Sequence, residues 1–188
     1  MTSAQSALVV MDVQVGTVAG HARPGVIESI RQAIAAARTA NLPVIFVKAE
    51  FREGYPDVSP RSRVFSQLAK VGRLIPEDPG CAFEPSVEPA GGDVVVTKKR
   101  TSAFTGSDLQ VVLRSQQIEH LVLLGLRTTG VVLSTVSEGA GLDYEMTVLA
   151  DCCSDVDPEL ETMVLERIVA RYATVCKLSE WVEQLSAV

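Results

Sequence analysis

Short apolar runs alternate with amphipathic stretches from one end of the chain to the other. The runs cover residues 7–11, 43–47, 93–97, 121–124, 146–150 and, more weakly, 173–176. They are continuous and rich in Val, Leu and Ile, the pattern of strands covered on both faces. Between them apolar residues recur with a helical period. Val26, Ile30, Ile34 and Ala37 make one stripe, Leu109, Val112 and Leu113 a second, and Leu160, Val164 and Ile168 a third. Asp157 as N-cap and Pro158 at the first helical position open the third helix. Ser179 is placed to cap a last one carrying Trp181, Val182 and Leu185. Strands alternating with helices predict a parallel sheet with right-handed crossovers and helices on both faces, a three-layer α/β fold. Residues 51–89 break the alternation and hold most of the chain's nine prolines. A short helix at 61–68, set in loops that cover a site, is expected there. With no repeat and no linker, residues 1–188 read as one domain.

Composition narrows the function classes. A chain of 188 residues can bury a proper core, and 47% hydrophobic with 21% charged residues is ordinary globular composition. Seventeen Lys and Arg against 23 Asp and Glu give a net charge of -6, which argues against a nucleic-acid surface. The one basic run, Lys98-Lys99-Arg100, is too short to change that. No stretch approaches the roughly 20 apolar residues of a membrane span, and the start lacks a secretory pattern. The four cysteines (Cys81, Cys152, Cys153, Cys176) show no CxxC spacing and read as reduced thiols of a cytoplasmic protein. His21 and His120 stand alone, so no metal site is expected, and both read as solvated or structural. The dinucleotide, P-loop and serine-elbow motifs GxGxxG, GxxxxGK[ST] and GxSxG are missing, and no cofactor is implied.

In open parallel sheets the ligand crevice lies beyond the carboxyl ends of the strands. Asp12, Lys98, the turn 125–129 and Asp151 are all expected at such ends. A carboxylate after an apolar run is desolvated and its pKa raised, while a nearby ammonium lowers it again, a pairing suited to proton transfer. Each also has a plainer reading: Asp12 caps its own turn, and Asp151 forms one. Gly125 begins a turn with a threonine cap leading into a helix, whose free N–H groups near Gly130 and Val131 could form an oxyanion hole.

At these residues a resemblance becomes specific. "LVVMDVQ" (8–14), "TKKRTSAF" (97–104) and "LLGLRTTGVVLSTV" (123–136), in that order and spacing, resemble the isochorismatase-like hydrolases, the cysteine hydrolase superfamily. The similarity continues through "YEMTVLADCCSD" (144–155) and covers nearly the whole chain. It implies a Rossmann-like six-stranded parallel sheet of order 3-2-1-4-5-6 and hydrolysis of amide-like C–N bonds or of a vinyl ether in a small-molecule substrate. On that pattern Asp12 is the catalytic acid/base and Lys98 its charged partner, with Gln14, Phe104 and Arg127 at the substrate pocket. With strands about 4.8 Å apart, Lys98 must reach roughly 10 Å over the second strand to meet Asp12.

The departures from the pattern define the functional question. The nucleophilic cysteine of the superfamily would fall at Val131, which cannot attack a carbonyl. Isochorismatases proper also lack it and work through the aspartate. The histidines that bind metal in nicotinamidases are missing after the second strand. Two readings follow: a hydrolase that needs no thiol, or a catalytically silent relative that binds or assembles; recruitment of Cys153 is a further route. The resemblance and a mean hydropathy of +0.23 together suggest a homodimer or homotetramer.

Overall fold

The apolar runs become strands; those at the centre of the sheet are buried on both faces, while the two edge runs are only partly covered. In the computed structural model, which describes residues 5–186, the strands are β1 (Gln5–Met11), β2 (Val44–Ala49), β3 (Val94–Lys98), β4 (Ile118–Leu126), β5 (Glu145–Ser154) and β6 (Thr174–Cys176). They form one sheet in the order β3-β2-β1-β4-β5-β6, with every pairing parallel. This is the order implied by the resemblance. Among the described residues the α-helices are α1 (Val15–His21), α2 (Val26–Thr39), α3 (Phe65–Lys70), α4 (Leu109–Ser115), α5 (Leu133–Gly141), α6 (Pro158–Met163) and α7 (Leu178–Ser186).

Strand β1 shows how the layers are built. Successive side chains point to opposite faces. Ala7, Val9 and Met11 therefore join a core shared with α4, α5 and the segment after α6, whereas Leu8 and Val10 join another shared with α2 and α7. The stripe on α2 is buried as expected, with Val26, Ile30, Ile34 and Ala37 all at most 3% exposed.

Other expectations need correction. The stripe Leu160, Val164, Ile168 does not stay on one face: after α6 the backbone passes into a π-helical turn (Val164–Ile168) and a 3₁₀ turn (Val169–Arg171). The wider π turn changes the angular step per residue. Val164, Leu165 and Val169 are buried, while Leu160 and Ile168 are exposed. Asp157 does cap α6, accepting from the amides of Glu159 and Leu160. Ser179 lies inside α7 rather than capping it; the Leu178 amide donates instead to Asp151 Oδ1 at 2.8 Å. Asp151 is thus not at a strand end. Between Leu123↔Val148 and Gly125↔Cys153, β5 advances five residues while β4 advances two. That bulge carries β5 on to Ser154 and leaves Asp151 free to reach α7. The helix expected at 61–68 forms later, as α3, because Ser62 turns the chain first and its hydroxyl accepts from the Phe65 amide.

The sheet centre is pinned by close approach. Gly125 on β4 has φ +145°, and a Cβ built there would stand 2.1 Å from the Met11 carbonyl oxygen. A side chain at this position must push β1 and β4 apart just below Asp12. Gly125→Ala is expected to lower stability by about 3 kcal/mol or more, from strain at positive φ together with overpacking. Urea unfolding monitored through Trp181 measures it, and a loss below about 0.5 kcal/mol, the scale of a neutral surface change, is incompatible with the contact.

Candidate active site

The carboxyl ends of β1, β2, β3 and β4 open into one cavity of about 380 Å³, the size of a small-molecule site. At its base Asp12 follows β1 with φ 55°, a left-handed conformation that Asp tolerates better than most side chains. Its Oδ2 lies 2.9 Å from Lys98 Nζ, so the lysine does span β2. Lys98 is 2% exposed, and its ammonium also donates to the carbonyls of Arg100 (3.0 Å) and Thr101 (3.2 Å). The other carboxylate oxygen of Asp12, Oδ1, is buried and has no hydrogen-bond partner among the described residues. Burial pushes the Asp12 carboxyl above its ordinary range and outweighs the opposing pull of Lys98 through charge and hydrogen bond.

The turn after β4 differs in detail from the expected capped helix. Residues Thr128–Val132 form a π-helical turn before α5 begins, and no side chain caps it. The Thr129 amide and hydroxyl both donate to Asp155 Oδ2, and the Gly130 and Val132 amides donate to the Arg127 carbonyl. Of the two amides expected to form an oxyanion hole, that of Gly130 is engaged within the fold. Val131 and Gly130 both line the cavity, and Val131 is 2% exposed.

The remaining expected residues divide. Arg127 lines the cavity, its Nε 3.4 Å from Asp155 Oδ1. Gln14 also lines it, but its side-chain amide is spent on structure: Nε2 donates to the carbonyls of Ala49 and Cys81, and Oε1 accepts from the Ala49 amide. Phe104 is not among the cavity-lining residues. It is turned into the core, 7% exposed and stacked on Tyr144 with ring centroids 5.7 Å apart. A flat apolar ring gains more by that burial than by facing a polar crevice.

Three contributors escaped sequence reasoning. Arg73 reaches the cavity from the segment that covers it; nothing periodic marks that segment. Asp155 lies just beyond the prolonged β5, where the bulge puts it in place of Asp151. Burial raises its pKa, but the hydroxyl and amide of Thr129, the Val156 amide and Arg127 together hold it below the ordinary range. His21, at the end of α1, also lines the cavity, and its Nδ1 is buried without a partner. Burial and then the Arg127 charge lower its pKa, so the ring is neutral near pH 7. His120 is structural, its two nitrogens bonded to Ser6 and Thr147. Among the described residues no cluster of His, Cys, Asp and Glu is arranged to hold a metal ion, and no helix is long and apolar enough to cross a membrane.

The comparisons with known proteins agree with this fold. The Isochorismatase domain model matches residues 6–180. Ureidoacrylate amidohydrolase RutB of Stutzerimonas stutzeri is 34% identical over 182 residues, covering 85% of this chain and 73% of that protein. The uncharacterized isochorismatase family protein YwoC of Bacillus subtilis is 29% identical over 96% of this chain and 94% of its own. Among solved structures, an isochorismatase family protein from Burkholderia thailandensis superposes with a TM-score of 0.83 at 28% identity, covering 97% of this chain and 96% of the other. N-carbamoylsarcosine amidase from Thermoplasma acidophilum gives 0.74 at 26% identity over 93% and 96%.

No cysteine lines the cavity. Cys81 and Cys153 are buried, and burial pushes each thiol up to about 12; it drives Cys152 up as well. None is a thiolate near neutral pH, so recruitment of Cys153 has no support in the fold. Cys176, at the end of β6, is the one partly exposed thiol. Iodoacetamide at neutral pH is expected to label native protein at Cys176 at most, and all four cysteines after unfolding in urea. Rapid native labelling of Cys153, read by peptide mass spectrometry, would contradict the burial.

Proposed function

The chain belongs to the isochorismatase family, and from that premise we propose that it is a hydrolase of an amide-like C–N bond in a small molecule, acting through Asp12 and Lys98 without a thiol. The observation that carries the reading is the asymmetry of the Asp12 carboxylate. Lys98 holds Oδ2, while the buried Oδ1 has no partner and belongs to a residue lining the cavity. A carboxyl whose pKa is raised by burial holds a proton more strongly than an ordinary carboxylate, as a group that takes up and returns one must. In this reading Oδ1 accepts a proton from the attacking water and returns it to the leaving nitrogen. Lys98, its three N–H groups held by Asp12 and the carbonyls of Arg100 and Thr101, contributes its charge and no hydrogen bond to stabilising the developing carbonyl oxygen. C–N cleavage is favoured over vinyl-ether cleavage by the amidohydrolase and amidase among the relatives.

Val131 supports the second reading, a silent relative that binds or assembles, since its side chain fills the place of a nucleophile. The pair itself separates the two. Asp12→Asn keeps the shape and leaves Lys98 its two carbonyl acceptors. Its stability cost is therefore expected to fall below the about 3–5 kcal/mol of breaking a buried pair outright. The sign with pH follows from the raised pKa of Asp12. Its stabilising contribution is complete below the ordinary carboxylate range and is lost as pH rises through the raised value. Turnover of carbamoyl and amide substrates is expected to vanish in Asp12→Asn and to survive alkylation of every accessible thiol in the parent. Val131→Cys places a thiol near Lys98 and is expected to become iodoacetamide-sensitive. A parent that turns over no amide, ester or vinyl ether, with Asp12→Asn costing several kcal/mol, establishes the silent reading instead.

The proposal extends to assembly and location: one domain over residues 1–188, working in the cytoplasm, where its four free cysteines stay reduced, as an even-numbered homo-oligomer. Exposed Val156, Leu160 and Met163 around α6 supply apolar surface for the contact. Light scattering is expected to give a multiple of 20.1 kDa; a monomer at micromolar concentration counts against it.

A further inference from the structure

The helix α6 buries none of its six residues. From Pro158 to Arg171 the chain runs on through the π-helical turn and the 3₁₀ turn, and along it only Val164, Leu165 and Val169 are buried hydrophobics. Of the nine large hydrophobics exposed among the described residues, five fall within the short stretch 156–172: Val156, Leu160, Met163, Ile168 and Tyr172. Single exposed apolar residues are ordinary, but a cluster of this kind marks a surface that is covered by something else.

An open groove runs along this side of the helix. It is lined by Pro158, Glu159, Thr162, Met163, Glu166 and Arg167, pairs of neighbours that recur every four residues. Four residues slightly overshoot one turn of α-helix and undershoot one of the wider π turn. The two drifts offset each other, so Glu159, Met163 and Arg167 stay in line. Met163, 52% exposed, stands midway between a carboxylate and a guanidinium, four residues from each. Neither of these charges, nor that of Glu166, is in an ion pair among the described residues. Glu161, on the inner side, differs: it pairs with Arg23 and accepts from the Asp155 amide.

This order of charges is self-complementary. When two copies of the segment lie antiparallel across a two-fold axis at Met163, residues four before the axis meet residues four after it. Glu159 of each copy then faces Arg167 of the other, and the two methionines meet at the centre. A parallel arrangement would instead set Glu159 on Glu159 and Arg167 on Arg167. We propose that the outer side of α6 docks a second copy of this chain, antiparallel to it about a two-fold axis through Met163. This rests on the homo-oligomer reading and adds to it the orientation, the register and the charge pairs. A two-fold contact must be self-complementary, and a flexible methionine at its centre fills the irregular groove. Each copy carries a net charge of -6, which opposes association in general, so the places where opposite charges meet select the register. The interface also backs onto the cavity: Glu161 of the docked helix holds Asp155, which in turn holds Thr129 and Arg127 at the cavity wall.

The test is the mass of the native protein by light scattering, over a micromolar concentration series at low salt. Glu159→Arg and Arg167→Glu are each expected to weaken self-association by about tenfold or more, because each sets like charges together twice. The double variant restores opposite charges and is expected to regain the parent mass, a rescue that a misfolded variant does not show. Salt is expected to weaken the parent. Met163→Cys is expected to be joined into a covalent dimer by a short bismaleimide, whose reach covers the about 8–10 Å between packed helices. The parent, with Cys176 its one partly exposed thiol, is not. A monomeric parent overturns the interface together with the oligomer reading. An oligomeric parent whose mass ignores both single variants, or a double variant that stays dissociated, overturns the interface and keeps the oligomer. So does a Met163→Cys protein that cross-links no more than the parent.

Discussion

The ammonium of Lys98 is taken almost wholly out of water, and much of the site is arranged around making that tolerable. Removing such an ion from solvent costs several kcal/mol unless other groups replace its hydration. Three oxygens do so here: Asp12 Oδ2 and the carbonyls of Arg100 and Thr101. To supply the first, β1 must end beside β2 and β3 at the right height, which the parallel register secures: Met11 lies against Val47, and Ala49 against Lys98. To supply the other two, the chain after β3 must curl back over its own lysine. The pair is thus a joint between three strands as well as a chemical group, and Asp12 carries the tension, with a carboxyl raised by burial and one oxygen unsatisfied.

The same basic triplet fastens the cover. Lys99 donates to the Glu50 carbonyl and lies 3.7 Å from Asp57, and Arg100 donates to the Asp57 carbonyl. Asp57 also pairs with Arg52. These contacts hold the start of the covering segment close to the end of β3. At its far end the cover is fixed to Gln14, whose amide bridges β2 and the Cys81 carbonyl. The basic triplet and Gln14, a pocket residue on the family pattern, act here as clamps. The Asp12–Lys98 pair stands on the sheet, and one wall of the cavity is lent by loops tied down at both ends.

The sheet was legible in the sequence because burial on both faces leaves continuous apolar runs, and Asp12 and Lys98 were legible because each closes one. Arg127 could be placed from the turn it occupies. What could not be read has a common physical origin. The bulge in β5 exchanges Asp151 for Asp155, and a run of apolar residues carries no record of hydrogen-bond register. The π-helical turn after α6 breaks a stripe that looked regular by spacing alone. Phe104 sits in an apparent site motif yet is turned inward by stacking on Tyr144, a partner 40 residues away. Arg73 depends on two glycines, Gly16 and Gly80, that come together only in the folded chain.

Gly125 carries a consequence for how this protein can change over generations. The missing side chain fixes the spacing between β1 and β4, and Asp12 begins where β1 meets that contact. A lineage could alter the cover freely and keep the Asp12–Lys98 pair intact. It could not vary position 125 alone. A larger residue there displaces the backbone that holds the acid, so substitutions at 125 and around Met11 must arrive together or be lost. Within this fold the cover of the cavity is therefore free to diverge quickly, whereas the centre of the sheet is bound to change in concert or stay as it is.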